Sequence, residues 1–218
     1  MPAKRSRSAA RDYVEAIIVA AIIAVVLRAF VVQAYRIPSD SMVNTLLPGD
    51  YILVSKLAYQ LGDPKPGDVL VFQYPLNPSK DFVKRCIAVE GQTVSIHDKA
   101  VYVDSQPAPV PPEVTFSDSR IIPGNLSNRD NFGPVVVPPG YVFVLGDNRD
   151  DSRDSRDWGF LDKRLIRGEA LFVYWSWTPD PKAPKWESPY LLPILTIPFY
   201  NLAHFPQRMR WGRIGKSL

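Results

Sequence analysis

The sequence predicts an all-β domain of antiparallel, barrel-like sheets with an inserted region of loops and hairpins, preceded by one transmembrane helix. Three observations carry that reading. Residues 16–27 are apolar throughout and 30–32 extend the run past Arg28, approaching the roughly 20 residues that a bilayer crossing needs. Beyond residue 35 short apolar segments alternate with hard turns, in a chain of 218 residues that holds 22 prolines and 12 glycines. That composition favours many short elements over long helices. No long amphipathic helix pattern follows residue 35, so the strands must cover one another.

In order, residues 1–12 form a basic segment with Lys4, Arg5, Arg7 and Arg11. Basic residues before the apolar run and few after it place the amino end in the cytoplasm and the remainder outside. The expected protein is therefore single-pass in the cell (inner) membrane, with its anchor at 13–34. Arg28 lies near the outer end of that anchor, where a long side chain can reach the interface. The competing reading is a cleavable secretory signal, with Val32-Gln33-Ala34 as a small-residue cleavage site. Either way the body, 35–189, is exported. Pro38 fixes its own φ and pushes Ile37 towards an extended conformation. Ser39 and Ser41, two apart in that stiff segment, then share one face, where a Ser/Asp turn or a helix N-cap is the structural alternative. Strands are expected over 51–59, 69–74, 81–89, 93–97, 100–104, 141–145 and 169–177, with a turn at 64–68. Pro-Gly pairs at 48, 66 and 139 supply turn chemistry. The interval of about 105–139, rich in Pro, Asn and Ser, reads as the insertion. Residues 190–205 are apolar but carry Pro193 and Pro198, too short and interrupted for a second span. With the basic 208–216 they make a tail, 190–218, that either packs on the domain or rests on the membrane interface.

The net charge of +4 gathers at the two ends without interleaved aromatics, which suits a membrane surface and not nucleic acid. Cys86 is the only cysteine, so an internal disulfide and a cysteine-rich zinc site are excluded, and no metal or cofactor is expected. Only His97 and His204 could serve a Ser-His-Asp triad, and neither stands in a suggestive context. Lys84 is the unusual residue, since strand alternation puts it on an apolar face with Phe82, Cys86 and Ala88. Stripped of water it would favour the neutral amine, which can take a proton from a serine hydroxyl. The alternative is an edge-strand lysine that guards against aggregation. Arg85 more naturally faces a carboxylate. A third stretch, Gly146-Asp147-Asn148-Arg149-Asp150-Asp151-Ser152-Arg153-Asp154-Ser155-Arg156-Asp157-Trp158-Gly159, lacks the ligand pattern and the sixth-position glycine of a calcium loop. It is either a solvated charge run or a rigid ion-paired loop that presents Ser152 to something buried.

Together these stretches resemble type I signal peptidases, membrane-bound serine proteases that remove signal peptides from exported proteins. Residues 37–42 resemble the family's nucleophile box, Lys84-Arg85 its lysine box and 146–159 its GDNRDNSxDSRxWG box. Pro48-Gly49-Asp50 and Asn131-Phe132-Gly133-Pro134 fit as well, so the likeness covers most of 35–177. The resemblance implies that Ser41 is the nucleophile and Lys84 the general base. It implies that Ser152 orients the lysine and that the Ser39 hydroxyl joins the Ser41 N–H in an oxyanion hole. Arg85, Asp147, Arg149, Asp154 and Arg156 are then structural supports. Ile37, Pro38, Met42, Leu46, Phe82 and Val83 would line the pocket before the cut, with Tyr35, Ile52 and Val71 in a second shallow pocket. Such pockets suit Ala-x-Ala sites in the signal peptides of exported preproteins, bound as an added strand. Partners are thus signal peptides, the lipid bilayer and a nearby secretion translocon. Asn44 stands where proline is common in the family, Asp40 replaces a frequent glycine, Gln92 a usual aspartate and Asp151 an asparagine. The alternatives are a related Ser-Lys processing protease with a dedicated substrate, and an inactive membrane-tethered β module.

Overall fold

The computed structural model describes residues 9–60, 62–184 and 191–218. Lys4, Arg5 and Arg7 of the basic segment, and the expected domain boundary at 189–190, lie outside the described residues. Helix α1 (Ala9–Val26) leads through a π turn (Leu27–Val31) into β1 (Val32–Arg36). The strands that follow are β2 (Asp50–Ser55), β3 (Val69–Tyr74), β4 (Asn77–Val89), β5 (Thr93–His97), β6 (Ala100–Val103), β7 (Gln106–Pro107), β8 (Phe132–Val136) and β9 (Tyr141–Leu145). A short helix α2 (Ser155–Trp158), β10 (Leu161–Asp162) and β11 (Ile166–Ser176) complete the domain before helix α3 (Leu191–Ala203).

All the strand pairings are antiparallel. One sheet of seven strands runs β1-β2-β11-β3-β4-β9-β10, and a second of four runs β7-β6-β5-β8. The fold is therefore the antiparallel all-β architecture that alternation and turn chemistry predict. Alternation is strict in β2, where Ile52 and Val54 are fully buried and their neighbours are half-buried. β3 is buried on both faces, which explains its continuous apolar run. Ile37, Met42, Leu46, Ile52, Val54, Val69 and Val71 form the core beneath the 37–49 turn, and Ile87, Val94, Ile96, Phe143 and Leu145 join the two sheets.

Several boundaries differ from expectation. Val32–Ala34, read as the end of the anchor, are strand residues paired with Ser55, Val54 and Leu53. β2 stops at Ser55 instead of 59, and β4 begins at Asn77 instead of 81. The insertion carries strands as well as loops, and β7 and β8 add to the second sheet. Among the described residues no helix is long and apolar enough to cross a membrane. In α1 the first turns carry Arg11, Asp12 and Glu15, which spoils the apolar run. Prolines do not prevent α3: Pro193 falls in its first turn, where a missing N–H costs nothing, and Pro198 is accommodated inside it. The tail beyond it returns to β11, with bridges from Phe172 to Ser217 and from Trp177 to Met209. It occupies the edge that β3, paired only from Ile166 to Glu169, leaves free.

Candidate active site

The segment after β1 is held as a closed turn. Ile37 N–H donates to Asp50 O at 2.8 Å, and Gly49 N–H returns to Ile37 O at 2.8 Å. Gly49 has φ +86°, and a Cβ there would sit 2.0 Å from Trp177 O, so this corner needs glycine. Asn44 also has a positive φ, 73°, a conformation asparagine tolerates and proline cannot reach. The family's common proline would not fit this backbone.

This turn presents Ser41 to β4. Lys84 Nζ donates to Ser41 Oγ at 2.6 Å, and Lys84 is only 2% exposed. Burial pushes its amine down to about 8, against the pull of Asp154, Asp147 and Asp151 towards the charged form. Phe82, two residues earlier on the same face, lies with its ring centroid 5.6 Å from Nζ. A buried amine in contact with a hydroxyl, and poised to lose its proton near neutrality, is the arrangement that nucleophilic catalysis requires.

The loop 146–156 closes the site from the other side. Asn148 N–H donates to Ser41 O at 3.1 Å and its side-chain amide to Asp40 O at 3.2 Å. Asp147 accepts Arg85 Nε at 2.9 Å and Nη2 at 2.7 Å, and also the Thr45 hydroxyl. Asp154 takes a bidentate pair from Arg156 and the Gly146 N–H at 3.0 Å, so one carboxylate fixes both ends of the loop. The insertion braces it further through Thr115 N–H, which donates to Asp147 O at 2.9 Å, and the β5–β6 turn does so through Lys99 Nζ, which donates to Asp150 at 2.9 Å. Arg149 is buried, but it makes no ion pair among the described residues and its Nε has no hydrogen-bond partner. Its backbone N–H donates to Thr115 O at 3.0 Å, which ties the loop to the insertion.

Ser152 departs from expectation. Its hydroxyl is buried and without a partner, so the orienting hydrogen bond to Lys84 is not formed. It packs on Gly146, where a Cβ would fall 2.2 Å from Ser152 Oγ and 2.5 Å from Ser41 O. That glycine is needed for close approach, which keeps Ser152 beside the nucleophile turn. Ser39 is exposed and borders the same cleft as Ser41.

The cleft holds about 400 Å³ between the end of β1 and β4. Tyr35, Ile37, Pro38, Met42, Val71, Phe82 and Val83 all line it, as the resemblance implies, and Asp81, Asp151 and Arg153 add a charged rim. Leu46 and Ile52 do not line it; both are fully buried in the core beneath. Sequence reasoning missed Thr45 and Asn148. Their roles depend on partners about a hundred residues away in the chain, and no local spacing signals them.

Comparison with known proteins gives a consistent result. Residues 10–175 match the family described as signal peptidase, peptidase S26. Signal peptidase I of Aquifex aeolicus is 36% identical, covering 88% of this chain and 92% of that one. The probable signal peptidase I-1 of Synechocystis is 38% identical over 75% of this chain and 82% of its own length. Signal peptidase I of Pseudomonas aeruginosa is 35% identical, covering 73% and 70% respectively.

Proposed function

The chain belongs to the signal peptidase family, peptidase S26, and from that premise we propose that it removes N-terminal signal peptides from exported preproteins after Ala-x-Ala-type sites, with Ser41 as nucleophile and Lys84 as general base. It is a serine peptidase, and the observation that supports this assignment of roles is the 2.6 Å contact between a buried amine and a hydroxyl. In the first step Ser41 Oγ attacks the scissile carbonyl while the neutral Lys84 amine accepts the hydroxyl proton. The C–N bond then breaks as Lys84 returns that proton to the leaving amine, leaving an acyl ester on Ser41. Lys84 next takes a proton from water, whose oxygen attacks the ester; the ester C–O bond then breaks as Lys84 returns that proton to Ser41 Oγ, releasing the new carboxyl end and restoring the neutral amine. Ser39 and the Ser41 N–H are the proposed donors to the oxyanion, and one such donor is worth about 2.7–4 kcal/mol. Ser152 packs on Gly146 beside the turn that carries Ser41. The free edges of β1 and of residues 81–84 receive the substrate as a strand.

Membrane attachment belongs to the same reading. Ile17, Ile18, Ile22, Ile23, Val25, Val26 and Phe30 are all exposed, on 18 residues of helix and 5 of π turn that together rise about 34 Å. We take lipid to surround them, with the amino end cytoplasmic and the β domain outside. α3 rests on the interface: Leu195, Phe199 and Leu202 are each more than 70% exposed on one side of the helix. The neighbouring Arg208 stacks 4.6 Å from the Trp177 ring centroid, as interfacial residues do.

The test is incubation of the full chain in detergent with a preprotein bearing an Ala-x-Ala site, with mass determination of both fragments. Cleavage after the second alanine, abolished by Ser41→Ala and by Lys84→Met, is expected. Near-normal turnover by either variant would overturn the assignment of roles.

A further inference from the structure

A second, polar cleft of about 530 Å³ adjoins the catalytic one and shares Tyr35 and Asp81 with it. Gln33 of β1, Lys56 just after β2 and Arg167 of β11 supply much of its wall, and the chemistry at Ser41 uses none of them. Two unpaired strand edges make the clefts continuous. β1 is the end strand of its sheet and pairs only with β2. β4 meets β9 only from Arg85 onward, so residues 81–84 have β3 on one side and the cleft on the other. A chain extended between those edges advances roughly 3.3 Å per residue. The four-residue step from Ile37 back to Gln33 along β1 is then about 13 Å.

We infer that the polar cleft is a second recognition site for the signal peptide, one that takes a polar or acidic side chain about four to six positions before the cut. The inference rests on the peptidase reading above, in which the apolar cleft beside Ser41 takes the residues immediately before the cut. A substrate pairing with β1 carries its next residues past Tyr35 to Gln33 and Arg167. Arg167 is exposed and makes no ion pair among the described residues, so its charge is available to a ligand. Lys163, on the same wall, is already held by Asp63 at 3.0 Å and Glu90 at 3.2 Å. Asp81 stands at the junction with the apolar cleft, and it acts on the Tyr35 phenol in the opposite sense to Arg167. The positive end of the cleft is thus the far one, where a carboxylate is favoured and an ammonium is not.

The experiment compares preproteins that share one Ala-x-Ala site and carry Glu or Lys at the fourth, fifth or sixth position before it. The readout is the ratio of kcat/KM values for each Glu/Lys pair, using the full chain in detergent at low salt. At one of these positions the Glu substrate should be preferred roughly two- to fivefold, the range that exposed ion pairs reach. The preference should shrink towards one in about 0.5 M salt and invert in Arg167→Glu. If that variant does not fold, the wild-type ratio and its salt dependence carry the test unaided. A ratio near one at all three positions, with every substrate cleaved, overturns the second site alone. No cleavage of any substrate overturns the peptidase reading and the second site with it.

Discussion

At the scale of single residues, the proposed mechanism rests on the burial of Lys84, and that burial has a cost. Holding the amine at about 8 instead of 10.5 destabilises the fold by roughly 3 kcal/mol at neutral pH. The unfolded chain binds the proton up to its ordinary value while the folded chain releases it earlier, so that cost fades as pH rises from about 8 to 10.5. Lys84→Met should therefore be inactive yet more resistant to urea at pH 7 by about 2–3 kcal/mol. Its advantage should narrow towards pH 10.5, and equal stability at pH 7 would contradict the claim that burial penalises the charge. Gly146 is the second sensitive position, because a Cβ there meets both Ser152 Oγ and Ser41 O. Gly146→Ala should lower kcat by about a hundredfold, as a displacement near 1 Å does, and leave KM largely unchanged. The meeting of Ser41 and Lys84 was legible because short local spacings carry the resemblance. Ser152 packs on Gly146 beside the 37–49 turn, but its hydroxyl is unpartnered, since a hydrogen bond depends on a rotamer that sequence does not specify.

At the scale of elements, β4 and the turn 37–49 are the two parts that must meet. β4 directs Lys84 to the cleft and Arg85, next in sequence, to Asp147 on the opposite side, as strand alternation requires. The turn is closed by a clasp around Asp50, which is fully buried. Asp50 accepts Arg213 Nη2 at 2.5 Å, Ser176 Oγ at 2.7 Å and Leu47 N–H at 2.8 Å. Burial by itself would raise this carboxyl, but the hydrogen bonds from Arg213, Leu47 and Ser176 outweigh it and hold the group below its ordinary value. The clasp therefore contributes fully above about pH 4 and is lost as pH falls further. Arg213→Met, which removes the closer of two guanidinium partners and leaves Arg210 at 3.2 Å from Asp50, should cost about 1.5–3 kcal/mol in denaturant unfolding at pH 7 and less at pH 3. An undiminished cost at pH 3 would show that packing, not charge, holds the tail. Most strands were legible from alternation and Pro/Gly turns. The clasp was not, because Asp50 and Arg213 are far apart in sequence and nothing local marks them as partners. α3 was not either, because Pro193 sits in the first turn, where a helix tolerates it, and Pro198, which reads as a break, is carried inside the helix.

At the scale of the whole molecule, the catalytic cleft opens between two strand edges that the seven-stranded sheet leaves unpaired. The insertion and the 146–156 loop brace it from behind, and the exposed apolar faces of α1 and α3 supply surfaces for lipid. The antiparallel all-β architecture could be read from composition and periodicity alone. The approach of the 37–49 turn to β4 could not, since it joins segments far apart in the chain, and periodicity says nothing of that. The proposed function depends on this approach, because it holds a buried lysine amine 2.6 Å from the serine hydroxyl and so, in that proposal, sets the pH at which the pair becomes active. The most direct test is the pH dependence of kcat/KM for preprotein cleavage by the full chain in detergent. The neutral amine is the working form, so the rate should rise with a single apparent pKa near 8 and level off above it. A profile that is flat from about pH 6 to 10, or one that rises only near the ordinary lysine value, would contradict it.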